Sequence, residues 1–194
     1  MRPFTMLALF LACPQIVAAQ NVHQAPANAP SVVTIADPAE PGTRLTVSGR
    51  VVGADGSPLA DASLYVYHTD ANGEYVPGAN GGGSDRPRLF AYLRSDGEGR
   101  YSFSTIRPGS YPNSRIPGHI HFEVVAPGHD TRVYEIVFEN DPFISAAFRA
   151  QAQEPFGGVV IVTPRAGAGG ALEVAHDVRL RGHSTGTPGA DAFD

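Results

Sequence analysis

Residues 44–68 read RLTVSGRVVGADGSPLADASLYVYH, and the period of this stretch decides the fold. Leu45, Val47 and Val51 alternate with polar or small residues, the pattern of a half-buried strand. Asp55-Gly56 is a turn signal. A second strand over 63–68 (SLYVYH) puts Leu64 and Val66 on one face and Tyr65 and Tyr67 on the other. Outward from this pair, strands are expected over 89–94 and 101–106, forming a hairpin around Asp96-Gly97-Glu98-Gly99. Others are expected over 119–125, 132–138, 159–163 and 172–180, and residues 32–35 offer an edge strand. One short helix is expected over 143–152, with Asp141 as N-cap and Pro142 at the first helical position. Many short strands between turn signals predict an all-β, antiparallel β-sandwich with one short helix.

Composition agrees with that class. Gly and Pro number 22 and 17 among 194 residues, about a fifth of the chain against roughly 12% in average usage. Both disfavour helix interiors, which argues against a bundle or coiled coil. Hydrophobic residues make up 42%, too many for wholesale disorder. A formal net charge of −5 leaves no basic face for nucleic acid. The sandwich is assigned to residues 43–182 and an arm rich in Ala, Pro, Asn and Gln to residues 20–42, expected to be loose. Residues 79–85 (ANGGGSD) read as a flexible loop and 183–194 as a disordered tail.

The first 19 residues read as a secretory signal peptide. Arg2 supplies the positive region, residues 6–13 (MLALFLAC) the apolar region, and Val17-Ala18-Ala19 the small residues before a cut at Gln20. The apolar run is too short to span a bilayer. Lipidation at Cys13 is the alternative, although Phe10 and Leu11 fit lipoprotein processing poorly. Cleavage after Ala19 shortens the 194-residue chain to 175 and removes Arg2 and the single Cys. A secreted or periplasmic chain without cysteine has neither disulfides nor thiolate metal sites. A metal would have to be held by His, carboxylate or Tyr.

His119-Ile120-His121 is the sharpest chemical feature. On a strand both imidazoles project to one face, while Ile120, Phe122 and Val124 face a core. Two neutral imidazoles side by side suit a first-row transition metal, and two surface histidines on a half-exposed strand are the alternative. Upstream, residues 105–111 (TIRPGSY) and 70–75 (DANGEY) are turns that each end in Tyr. Elsewhere Tyr101 reads as a sheet aromatic, Tyr65 and Tyr67 as structural or pocket wall, and Arg94 as a solvated charge. His68, near the Tyr75 turn, reads as solvated and not as a ligand, and His176 as a satisfied core histidine.

The runs 67–75 (YHTDANGEY), 93–111 (LRSDGEGRYSFSTIRPGSY) and 117–122 (PGHIHF), with Asn140-Asp141-Pro142 after a strand, resemble the intradiol ring-cleavage dioxygenases of the protocatechuate 3,4- and catechol 1,2-dioxygenase type, here in a secreted single-domain form. The likeness spans roughly residues 44–142. It implies a non-haem Fe(III) held by Tyr75, Tyr111, His119 and His121. It implies cleavage of a catechol-type aromatic by O₂ between the two hydroxyl-bearing carbons, both oxygen atoms entering a muconate-type dicarboxylate. Tyr111 matches the ligand that is released and takes a proton as the catechol binds, and Tyr75 the one that stays bound. A hard ferric ion favours such anionic oxygens, and a bound cation depresses a phenol pKa from about 10. The family's usual Arg three residues before the first His is replaced by Ile116, with Arg115 one place earlier, and a usual Gln in the next strand is replaced by Glu135. Arg115 is thereby a candidate catalytic residue, and Ile116 and Glu135 are candidates for the substrate pocket. The family also forms dimers or larger assemblies, so a homo-oligomer fits the resemblance.

Two other classes compete. Residues 48–62 (SGRVVGADGSPLADA) also resemble the opening of transthyretin-like or carboxypeptidase-regulatory-like binding modules, which need no Tyr/Tyr/His/His set. A β-sandwich protein holding zinc or copper on the His pair alone would need neither tyrosine.

Overall fold

The computed structural model describes residues 22–78 and 83–183. The expected signal peptide, residues 79–82 of the expected loop, and the expected tail from 184 onward lie outside the described residues. The strands are β1 (Val32–Thr34), β2 (Arg44–Val52), β3 (Ser63–His68), β4 (Leu89–Arg94), β5 (Arg100–Ile106), β6 (His119–Val125), β7 (Arg132–Phe138), β8 (Val159–Val162), β9 (Arg165–Ala166), β10 (Leu172–Ala175) and β11 (Val178–Arg179). One sheet runs β1-β5-β2-β10-β9, with β11 also on β2, and the other runs β4-β3-β6-β7-β8. No helix among the described residues is long and apolar enough to cross a membrane.

The period-two pattern puts one apolar row of each sheet into a shared core. Leu45, Val47, Tyr101 and Phe103 meet Leu64, Val66, Ile120, Phe122, Val124, Tyr134 and Ile136 there. Phe122 lies fully buried, 6.0 Å from the Phe103 ring and 5.2 Å from that of Tyr134. Burying a side chain of this size contributes about 1.5–3 kcal/mol. Two polar groups in the core are satisfied: the Tyr134 hydroxyl lies in hydrogen-bond contact with His176 Nε2 at 2.7 Å, and the Tyr101 hydroxyl donates to the His176 carbonyl at 2.7 Å.

Several local expectations change. The antiparallel pairing holds at the centre, but β1/β5, β2/β10, β2/β11 and β7/β8 are parallel. The turn at Asp96–Gly99 reverses the chain without closing a hairpin, since β4 pairs with β3 and β5 with β2. Both strands carry an apolar row, and crossing between the sheets lets those rows face each other across the core. The helix α1 spans only Ala146–Gln151 and is capped by Ser145, whose side chain accepts from Phe148 N. Asp141 is committed elsewhere, accepting from Phe143 N at 2.9 Å and Gly118 N at 3.0 Å. The stretch expected as one strand over 172–180 breaks at His176-Asp177, where Asp177 Oδ1 takes the Arg50 N–H at 2.8 Å in place of a backbone carbonyl.

The arm expected to be loose is docked where it is described. Ala25 N donates to Ser63 Oγ at 2.7 Å, and His23 N donates to Glu123 Oε2 at 2.8 Å. Arg94, expected as a solvated charge, donates to the Pro26, Ala25 and Asp61 carbonyls at 2.9–3.0 Å. His68, expected to be solvated, is fully buried at the end of β3, with ring nitrogens 2.7 Å from Thr69 O and Thr105 Oγ1.

Candidate metal centre

The alternation that sends Ile120, Phe122 and Val124 inward turns His119 and His121 to the outer face of the second sheet. In register with His121 on that face stand Tyr67 on β3 and Glu135 on β7. Tyr75 and Tyr111 reach the same place from two turns. Four donor atoms close a ring there: Tyr75 Oη to Tyr111 Oη 2.7 Å, Tyr111 Oη to His119 Nε2 3.1 Å, His119 Nε2 to His121 Nε2 3.1 Å, and His121 Nε2 to Tyr75 Oη 2.9 Å.

Local sequence explains the aim of each turn. Asp70 Oδ1 accepts from Asn72 N and Glu74 N at 2.9 and 3.0 Å, folding the 70–75 segment so that Tyr75 points back over the sheet. The two tyrosine turns are bonded to each other. Gly109 N donates to Asp70 O at 2.9 Å, and Thr69 Oγ1 donates to Gly109 O at 2.9 Å. Glycine permits the approach: a Cβ on Gly73 would stand 1.8 Å from Ser110 O, and one on Gly109 would stand 2.3 Å from Ala71 O. The Asp141 carboxylate fixes Gly118, the residue before His119.

The first imidazole is presented in a defined tautomer. His119 Nδ1 lies 2.8 Å from the Pro117 carbonyl, which can only accept, so the proton sits on Nδ1 and Nε2 carries a lone pair. His121 Nε2 lies 2.9 Å from Tyr75 Oη, and Glu135 Oε1 stands 3.3 Å from its Nδ1. Two imidazole nitrogens only 3.1 Å apart, joined by two phenol oxygens, form a cluster of ligand atoms around one point. A first-row cation about 2.0–2.1 Å from each nitrogen or oxygen would space neighbouring donors by roughly 2.8–3.4 Å. The donor set therefore fits one metal ion, and its oxygens suit a hard one.

Burial sets the electrostatics. It raises the Tyr75 phenol far above its ordinary value near 10, and the bond with Tyr111 and its charge add to this. Burial raises Tyr111 too, against the lowering effect of its bond to Tyr75. Burial lowers His121 to about 3, with His119 and His68 adding to the shift, so its imidazole is neutral near pH 7. A phenolate at Tyr75 thus needs a cation beside it.

The family model described as "Dioxygenase" matches residues 16–182. Catechol 1,2-dioxygenase 2 of Acinetobacter lwoffii is 32% identical over 130 residues, covering 56% of this chain and 44% of its own. The protocatechuate 3,4-dioxygenase beta chain of Burkholderia cepacia is 34% identical over 115 residues, covering 54% and 48%. This chain belongs to the intradiol dioxygenase family. It spans about half the length of these curated relatives. Catechol 1,2-dioxygenase from Pseudomonas arvilla C-1 superposes with a TM-score of 0.65 at 26% identity, covering 87% of this chain and 62% of that one. The dioxygenase domain of a carbohydrate-binding fusion protein from Streptomyces sp. SirexAA-E shares the fold, with a TM-score of 0.60 at 24% identity over 84% of this chain and 96% of that one.

Within this intradiol family member, Tyr75, Tyr111, His119 and His121 converge as the sequence predicts. Glu135 stands beside both histidines, its Oε1 4.0 Å from His119 Nε2. Arg115 is exposed, its guanidinium 5.7 Å from the Phe143 ring centre. Ile116 is 46% exposed. Two further residues support the candidate centre: Tyr67, read from the sequence as structural or pocket wall, and Asp141, read as a helix N-cap. Tyr67 stacks on His121 at 4.3 Å with an 8° interplanar angle. Asp141 bonds Gly118 N in place of capping the helix. The first was signalled by the shared sheet face of Tyr67; the second had no local signal, since 23 residues separate the partners.

Proposed function

We propose that this chain cleaves a catechol-type aromatic by the intradiol route, using O₂ and a non-haem Fe(III) held by Tyr75, Tyr111, His119 and His121, to give a muconate-type dicarboxylate. The observation that carries the reading is the closed ring of two phenol oxygens and two imidazole nitrogens with edges of 2.7–3.1 Å. When bound, the ferric ion would supply Lewis acidity and a template for substrate.

The protein's own groups divide the remaining work. Tyr75 is 2% exposed, and its carbonyl accepts from Arg88 N at 3.1 Å, which suits a permanent anionic anchor. Tyr111 is half-buried in a segment without regular structure, which suits a side chain that leaves and holds the substrate's proton on Oη. The histidines present their Nε2 atoms side by side from one strand. Export to the periplasm or medium belongs to the same proposal, supported by the signal-like residues 1–19.

Zinc or copper on the histidines is the second reading, favoured by His119, His121 and Glu135 offering ligand atoms within 4.8 Å of one another. A visible spectrum of the purified full-length protein, loaded with ferric salt, separates the two. A purple-to-red tyrosinate-to-iron band that shifts on adding catechol is expected, together with O₂ uptake. A colourless protein without stoichiometric iron overturns the iron assignment. Iron binding without O₂ uptake on catechol, hydroxyquinol or protocatechuate overturns the substrate assignment. The Tyr75→Phe/Tyr111→Phe double variant should lose band and ferric ion together; metal retained unchanged would favour zinc or copper.

A further inference from the structure

The inward rows of β3 and β5 are aliphatic or aromatic until their last positions. Leu64 and Val66 are followed by His68, and Tyr101 and Phe103 by Thr105. Both polar residues are buried, His68 fully and Thr105 at 2% exposure. They meet across the sandwich, with His68 Nε2 2.7 Å from Thr105 Oγ1. The other ring nitrogen, Nδ1, lies 2.7 Å from Thr69 O. A carbonyl can only accept, so the proton sits on Nδ1 and Nε2 accepts from the Thr105 hydroxyl. Burial lowers this imidazole to about 4, so near pH 7 it is neutral, with one donor and one acceptor, both used. The bonded carbonyl belongs to the Thr69–Asp70 peptide, where β3 gives way to the Tyr75 turn. The N–H of that same planar peptide, on Asp70, donates to Glu74 O at 2.9 Å and closes the turn. Thr105 stands at the root of the other turn, six residues before Tyr111. Beyond this point the two turns are bonded through Thr69 Oγ1 to Gly109 O and Gly109 N to Asp70 O. His68 is also in register with Ile120, the residue between His119 and His121.

We propose that His68 is a positioning residue for the metal centre: by bonding Thr69 O and Thr105 Oγ1 together, it ties the roots of the two tyrosine turns and sets where Tyr75 and Tyr111 meet. The inference rests on the ferric reading above and deepens it. Residues that hold metal ligands in place from behind typically contribute 10–100-fold in metal affinity. His176 supplies the comparison. It is also a buried histidine with a ring nitrogen 2.7 Å from a hydroxyl across the sandwich, that of Tyr134, and none of its hydrogen bonds reaches either tyrosine turn. A merely structural role for His68 would make the two histidines equivalent.

The test compares wild type with Thr105→Val, which removes the hydroxyl, and His68→Asn, which keeps a donor for Thr69 O and falls short of Thr105. Thr105→Ser keeps the hydroxyl, and His176→Asn is the control. In the metal-free full-length protein, native-state amide exchange reads the Asp70 and Gly109 N–H groups. Both should exchange about 10-fold faster or more in Thr105→Val and His68→Asn, as for a buried bond left half-made. Ferric affinity by chelator competition should fall about 10–100-fold in the same two variants. Thr105→Ser should return both readings to wild-type values, and His176→Asn should lower Tm while keeping wild-type ferric affinity. Unchanged exchange in Thr105→Val overturns the proposal, and so does faster exchange with wild-type affinity. An equal loss of affinity in His176→Asn also overturns it, because the loss then follows stability alone. If His68→Asn does not fold, Thr105→Val decides. Failure of the ferric reading shows separately, as a wild-type protein with no iron band, while exchange in the metal-free protein still tests the tie between the turns.

Discussion

Gly73→Ala should dismantle the metal centre without touching a ligand. Gly73 has φ of +83° and its added Cβ would lie 1.8 Å from the Ser110 carbonyl oxygen, where contacts below 3.0 Å essentially never occur. The turns carrying Tyr75 and Tyr111 must then part by at least about 1.2 Å, the difference between those two distances. Their phenol oxygens are only 2.7 Å apart, so the donor ring opens. Left-handed backbone costs alanine about 1–2 kcal/mol, and overpacking adds roughly 1–3 kcal/mol. A loss of about 2–5 kcal/mol corresponds to a drop of roughly 4–20 °C in Tm for a chain of this size. Gly56→Ala is the matched control: its φ is +84°, and nothing lies within 4 Å of the added Cβ. It should carry the backbone strain alone, about 1–2 kcal/mol, with full ferric binding. Thermal unfolding and chelator competition on both variants measure the two effects. Ferric affinity in Gly73→Ala should fall at least about 10-fold, as for loss of an outer support. A Gly73→Ala protein with the Tm of Gly56→Ala and wild-type iron affinity would refute the interlock.

Other outcomes follow from the same structure. Burial lowers His68 and His176 from about 6.5 to about 4 in the folded chain. Unfolded chains bind these protons first, so the stability from each neutral imidazole is complete above pH 6.5 and is lost as pH falls toward 4, about 3 kcal/mol apiece. Urea midpoints should fall across that window, and His176→Asn should flatten part of the slope; an equal slope in that variant would count against the assignment. Arg94→Ala removes three bonds to the Pro26, Ala25 and Asp61 carbonyls. At about 0.5–1.5 kcal/mol each, it should cost roughly 2 kcal/mol and speed proteolytic cleavage near residue 26, with unchanged cleavage showing that the arm is held elsewhere. Protein exported by its native host should have an intact mass beginning at Gln20, and a mass retaining residues 1–19 would contradict the signal reading.

What was legible in the sequence was whatever a single period controls. Alternation along residues 63–68 and 119–125 assigned the inward rows, and it also put His119 and His121 on one face. Turn chemistry was legible as reversal but silent about pairing. Asp96–Gly99 turns the chain as expected, yet the strands on either side join different sheets. The same limit applied to side chains with two available uses. Asp141 has the composition of an N-cap, but its carboxylate is taken by the Gly118 and Phe143 amides, so the helix starts at the next competent residue, Ser145. Arg94 looked like a surface charge because its partners, the carbonyls of residues 25 and 26, lie 69 and 68 positions away.

The candidate centre combines these two kinds of information, and that explains which part of it was readable. The His pair needs only the period of one strand. The tyrosines need two turns to meet, and that meeting depends on glycine positions opposing backbone carbonyls, Gly73 against Ser110 and Gly109 against Ala71. No periodicity encodes such a contact; it exists because both turns leave the same end of the sandwich and lack the side-chain bulk that would keep them apart. Glu135 depends on a third kind, the register between β6 and β7. A shift of one residue would put Tyr134 or Ile136 opposite His121 and leave the imidazole without a carboxylate. The apolar row of β7 prevents that shift, because Tyr134, Ile136 and Phe138 must stay in the core. The packing that holds the sandwich together thereby also selects which residue of β7 stands opposite His121.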